Sequence, residues 1–367
     1  MKLKSIFFSV FAIAAAQTVS AQTSILVLNS STDVVYKLNA TDGTIIDPAF
    51  ITLPSGTPKG ITQVDDKIWI ADQVNDDIYI YNLDGTPHST LDGTVVNLDN
   101  IRGLNVVNNE VWVTNAGGGN GATANSIRRF TKAGVPIGTY PTVSSPFDVL
   151  DNGTAAFVSS FTASGGIEIL GYDGVVQGNL FATPTLANVE QMIFNAANNL
   201  VVVTFSNHSS GNNRGIYELS PTTGAILNYW PSTGTSGNSG VVQLGNGNYL
   251  YSNNAMHLLD PVTGTSTLIE SGTFQYFTKI TDNSMSTAET IKVDFEMYPN
   301  PVTETLFVKA TEKITEFRIF SPEGRLVLTQ QPRSERFSVD VADLASGVYY
   351  LQMSSDKGMS TKKFLKK

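Results

Sequence analysis

The chain has 367 residues, 41% hydrophobic and 15% charged, with 31 glycines, no cysteine and a formal net charge of −9. That composition is too apolar for a disordered chain and suffices for one large or two smaller cores. Without cysteine there are no disulfides, thiolate metal sites or cysteine nucleophile, so stability has to come from burial and from closing sheet edges.

Residues 1–21 read as a secretory signal. Lys2 and Lys4 precede the apolar run IFFSVFAIAAA, and Val19 and Ala21 stand before an expected cleavage ahead of Gln22. The run is too short for a membrane anchor, and no later stretch approaches ~20 apolar residues. A soluble mature protein without a transmembrane segment is the expectation. Between residues 22 and 290 there are nine basic against 22 acidic residues, and from 291 to 367 twelve against ten. The acidic body disfavours nucleic acid and anionic membrane surfaces as partners.

Six times between residues 25 and 264 a pair of strand-like runs is followed by a turn glycine. The pairs are ILVLN and VVYKLN before Gly43, IWIAD and DIYIYN before Gly85, and VWVTN and SIRRFT before Gly134. AFVSS and GIEILGY precede Gly174, LVVVT and GIYELS precede Gly224, and YLYSN and AMHLLD precede Gly264. The glycines recur every 40 to 50 residues, a period that, built only of short strands, indicates propeller blades rather than a helical solenoid. Asp-Gly and Thr-Gly suit tight hairpins because glycine accepts the positive φ such turns need. Ile68, Trp69, Ile70 and Ala71 are apolar on both faces of one strand, so each sheet must be covered on both sides.

A short apolar run precedes five of the pairs: GITQV at 60–64, GLNVV at 103–107, FDVL at 147–150, EQMIF at 190–194 and GVVQL at 240–244. The first pair lacks one, whereas QYFTKI at 275–280 has no partners after it. The late strand is therefore expected to complete the first blade, closing an all-β, six-bladed propeller over residues 22–284 and removing its open edge. Over residues 23–282 the pattern resembles the six-bladed propeller class that includes NHL-repeat proteins, gluconolactonase-like lactonases and low-density-lipoprotein-receptor-type propellers. The resemblance is one of architecture, which does not carry function.

A polar linker at 285–292 leads into residues 293–367, where alternating runs from LFVKA to GVYYLQMSS predict a small seven-stranded β-sandwich. Four segments are distinctive: YPNP (298–301), FRIFSPEGRLV (317–327), LASGVYYLQM (344–353) and the closing GMSTKKFLKK. In order and spacing they resemble the type A C-terminal sorting domain of the type IX secretion system of Bacteroidetes. The resemblance implies export across the outer membrane, the secretion machinery as a partner, and a mature protein secreted or attached to the cell surface. It also implies a sorting role for Tyr298, Pro299, Asn300, Pro301, Gly324, Gly347, Tyr349 and Phe364.

In a propeller the inner strands start at the channel end that also carries the loops between second and third strands. Lys59, Arg102, Asp148 and Glu190 stand at or beside the inner-strand starts of four blades, among long Gly-, Asn- and Ser-rich loops at 115–126, 160–166 and 205–215. Long loops on a rigid scaffold are where binding concentrates, so this is the expected ligand face. His208, in the third loop, is placed for acid/base work. Lactonase-like propellers hold a divalent cation at the channel mouth with Glu, Asn and Asp. On that analogy Asp148 and Glu190 supply two oxygen ligands for calcium, although Lys59 and Arg102 stand where further ligands are wanted. The cluster DQVNDD at 72–77, with Asp72 and Asp76, offers other oxygen ligands without EF-hand spacing. No hydrolase nucleophile elbow, phosphate loop or dinucleotide fingerprint occurs. The sequence thus favours a non-enzymatic binding propeller, its ligand a glycan, protein or small molecule, over a metal-dependent lactonase-like hydrolase or lyase at the channel mouth.

Overall fold

The structure, a computed structural model, describes residues 22–164, 166–181, 183, 185–234, 236–282, 294–322, 325–355 and 359–367. The expected signal at 1–21, the linker at 285–292 and Gly324 lie outside the described residues. Contacts divide the chain into two units, one ending at Asn283 and the other beginning at Ser284.

Among the described residues the first unit contains six four-stranded antiparallel sheets. Blade two shows the plan: Pro58–Val64 is innermost, followed outward by Lys67–Asp72, Ile78–Asn82 and Pro87–Leu91. The inner strands of blades three to six are Ile101–Val107, Pro146–Asp151, Ala187–Phe194 and Gly240–Gln243. Blade one is completed from the far end of the unit, where Phe274–Asp282 pairs antiparallel with Gln22–Asn29 and matches Ile25 to Lys279 and Val27 to Phe277. Each inner strand touches the next around a closed cycle, the sixth returning to the first. One helical turn, Gly93–Val96, departs from the all-strand expectation, and Asp92 caps it by accepting the Thr94 N–H.

Blade faces alternate strictly. Ile68 and Ile70 pack toward blade one with Leu26, Leu28 and Val35, whereas Trp69 and Ala71 pack toward blade three with Leu104, Val111 and Val113. Trp112 occupies the same strand position one blade on, against Val149 and Val158 of blade four. This is why the second strands read as continuous apolar runs: neither face meets water. The outermost strands are exposed, as Pro87–Leu91 illustrates. All six repeat glycines adopt φ between 68° and 86°, as their hairpins require.

The second unit packs the sheet Phe295–Tyr298, Thr305–Ile314 and Ser334–Asp340 over a four-stranded sheet. The latter orders Leu326–Gln330, Glu316–Phe320, Gly347–Ser354 and Met359–Lys366. Their shared core holds Phe295, Leu306, Ile319, Leu351 and Phe364.

Candidate functional site

The site is made by irregularities in otherwise regular strands. Pairing slips register between Pro58 and Gly60, between Ile101 and Leu104, between Pro146 and Val149, and between Val189 and Met192. The closing strand slips between Phe274 and Phe277. Each slip is a β-bulge, and a bulge re-aims side chains out of the pleat. Lys59, Arg102, Phe147, Glu190 and Gln275 sit at these bulges, and Ser239 immediately precedes the short inner strand of blade six.

Lys59 fills the centre of that ring. Its Nζ donates to Glu190 Oε2 at 2.7 Å, to Gln275 Oε1 at 2.7 Å and to Ser239 Oγ at 3.4 Å. It also lies 4.9 Å from the centre of the Phe147 ring. Lys59 is 6% and Glu190 1% exposed, so their ion pair is dry. Burial pushes the Glu190 carboxyl up, and Lys59 opposes that shift. The Arg102 guanidinium lies 4.5 Å from the Phe147 ring centre and Nη1 donates to Ser145 Oγ at 2.8 Å. Burial holds its pKa down, and its Nε is buried without a partner.

Asp148, next on its bulge, faces the adjoining blade: Oδ2 accepts the Met192 N–H at 2.8 Å, while its own N–H donates to Ser159 Oγ. Burial raises its carboxyl to about 7, against the opposing pull of the Met192 and Val149 amides. Of the four charged residues predicted from strand starts, Lys59 and Glu190 pair directly, Arg102 shares the Phe147 ring with Lys59, and Asp148 turns to the adjoining blade; all four are buried.

Asp72 and Asp76 serve separate turns. Asp72 is fully buried, and Oδ1 accepts the N–H groups of Thr57, Val74 and Asn75 at 3.2, 3.0 and 2.9 Å. Asp76 Oδ1 accepts the Asn100 N–H at 2.6 Å and Oδ2 the Asn120 Nδ2 at 3.1 Å. Burial, with Asp99 nearby, raises its pKa. Among the described residues no three carboxylate or imidazole groups converge as a metal site. His208 is half-buried and its Nδ1 accepts the Ser210 N–H at 3.0 Å. Trp230 is buried, and its Nε1 donates to Pro261 O at 3.0 Å.

Charge-based reading missed the aromatic residues. Phe147 stacks on Phe161 with ring centres 4.6 Å apart, and Phe161 meets Phe205 edge-on at 5.4 Å. Phe161 and Phe205 begin two of the long loops, and Phe205 is 42% exposed. Aligning the tetrapeptides at the inner-strand starts, PKGI, IRGL, PFDV, VEQM, NSGV and FQYF, would have revealed Phe147, Ser239 and Gln275 as channel positions.

In the second unit Asn300 pins the final strand, its Oδ1 accepting the Leu365 N–H at 2.9 Å. Tyr349 and Phe364 stack at 5.7 Å, and the Tyr349 hydroxyl donates to Ala345 O at 3.0 Å. Tyr298, the last residue of the strand Phe295–Tyr298, is exposed and stacks on Phe307; Pro301 follows Asn300, and Gly347 opens its strand. Residues 296–367 match the family described as the secretion system C-terminal sorting domain. The tail is a type IX sorting domain. The protein is therefore an exported propeller, secreted or attached to the outer-membrane surface, and no helix among its described residues is long and apolar enough to cross a membrane.

The propeller has structural neighbours at low identity. One chain of the nidogen/laminin complex aligns with TM-score 0.57 at 16% identity, covering 70% of this chain and 98% of that one. A Bacteroides caccae protein of unknown function aligns with TM-score 0.53 at 11% identity, covering 71% and 99%. These likenesses show the fold alone. No curated protein matches the chain in sequence.

Proposed function

We propose that the propeller is a binding module displayed at or beyond the cell surface, with an extracellular glycan or protein landing on its loop face. The run from Phe147 through Phe161 to the exposed Phe205 carries this reading. Rigid aromatic side chains supply contact area at low entropic cost, and the neighbouring Asn- and Ser-rich loops supply adaptable hydrogen bonds. Cleavage after Ala21, a propeller over 22–284, a linker at 285–292 and sorting residues from 293 onward belong to the same proposal.

The calcium-dependent lactonase alternative draws less support. Lys59 takes Glu190 Oε2 and the Met192 amide takes Asp148 Oδ2, atoms a cation at the mouth would need. The mature protein should bind on a glycan or extracellular-protein array, and Phe205→Ser should weaken that binding at least tenfold without changing the melt. Retained binding in Phe205→Ser would overturn the assignment of this face. A calcium-dependent melt shift approaching the ~2.7 kcal/mol of a site at a hundred times its Kd, lost in Asp148→Asn and Glu190→Gln, would favour the enzyme instead.

A further inference from the structure

We propose that the channel end opposite the loop face binds a small carboxylated polyhydroxy compound, a single sugar acid in chemical class. The inner strands line an open cavity of about 310 Å3 there, at the small end of ligand pockets, which run about 300–1,000 Å3. That size admits one sugar ring. Thr62, Asn105, Phe194, Thr278 and Lys279 come from the far ends of the same strands, whereas Asp148 and Tyr276 reach the cavity from the loop-side cluster; variants at Lys279 and Thr278 therefore probe it separately from the loop face.

Lys279 supplies the anionic subsite. It lines the cavity, and among the described residues no acceptor or carboxylate partners its ammonium. Partial desolvation holds its pKa below the usual lysine value. An unpaired cation beside a cavity, in a unit dominated by acidic residues, is an anchor for a carboxylate.

The rest of the lining suits hydroxyl groups and a ring. Thr62 and Thr278 bring hydroxyls, and Asn105 keeps its Nδ2 available because only its Oδ1 is engaged, by the Val106 N–H at 2.9 Å and the Thr62 hydroxyl. Tyr276, 2% exposed, also lines the cavity with its Oη buried and without a partner. A buried phenol ordinarily has a partner, so this one is a donor awaiting an acceptor. Asp148 on the inner wall offers a ligand hydroxyl an acceptor, and half-buried Phe194 gives the carbon face of a sugar ring an apolar surface.

Calorimetric titration of the mature protein with D-glucuronate, D-galacturonate, D-glucose and acetate tests this. At least one uronate should bind, glucose and acetate should bind at least tenfold more weakly, and Lys279→Gln should weaken uronate binding at least tenfold, the worth of a hydrogen bond to a charged group. Thr278→Trp, filling the cavity, should abolish binding with the melt unchanged. If that variant misfolds, Lys279→Gln decides, because its side chain is exposed. No uronate binding at millimolar concentration, equal binding of acetate, or undiminished binding to Lys279→Gln would each overturn the proposal.

Discussion

Lys59 and Glu190 oppose each other in a dry channel, and removing one leaves the other charge unpaired and desolvated. Lys59→Met should therefore cost roughly 3–5 kcal/mol, whereas Lys59→Met with Glu190→Leu should recover most of it, since apolar replacement of a buried pair is often neutral. Denaturant melts of both variants check this; a single-variant loss below about 1 kcal/mol would show that water reaches the pair. Asp148 behaves differently because burial raises its carboxyl from 3.8 to about 7. Between these values the folded protein holds a proton the unfolded chain has lost, so Asp148 lowers stability as pH rises from about 4 to about 7 and by a constant amount above. Asp148→Asn keeps an oxygen for the Met192 amide and removes the charge. The variant should gain on wild type as pH rises across that window, reaching on the order of 2–4 kcal/mol at pH 8; a difference independent of pH would refute it. That these side chains mattered was legible from charge at strand starts. Their burial was not, because it follows from partners 131 and 216 residues away in sequence.

Strands and hairpins were readable because their causes are local: a turn glycine with positive φ, and apolar residues on both faces. The bulges were not, since a register slip depends on which residues the neighbouring strand offers. Glycine marks two of them for a steric reason. A Cβ on Gly60 would lie 2.2 Å from Arg102 O, and one on Gly103 would lie 2.7 Å from Phe147 O, so each allows the next blade's backbone to approach. Asp148 stands at the corresponding place in blade four and instead bonds across to blade five. Gly60→Ala should destabilise the propeller by more than about 2 kcal/mol through this clash with backbone. The same change at Gly153, which has open space around it, carries only the strain of φ +87°. If the two variants melt together, strand approach at the bulge is not what Gly60 provides.

At the scale of the molecule, the decisive element is the last strand of the propeller. Phe274–Asp282 supplies the inner edge of blade one and packs Phe274 and Phe277 against Ile25, Val27 and Leu38 and against Val242 and Leu250 of blade six. In an open repeat array, losing a terminal strand weakens one end and leaves the remainder folded. In a closed ring the same loss opens the seam, exposing an unpaired strand edge and two apolar faces together. A protein lacking residues 274–282 should therefore lose its cooperative unfolding transition altogether and self-associate, rather than retain a five-blade remnant. Size-exclusion chromatography and limited proteolysis decide between these outcomes. A monomeric, protease-resistant fragment beginning near residue 58 would mean that each blade is stabilised by its immediate neighbour alone. It would also mean that closure contributes little beyond covering the edge.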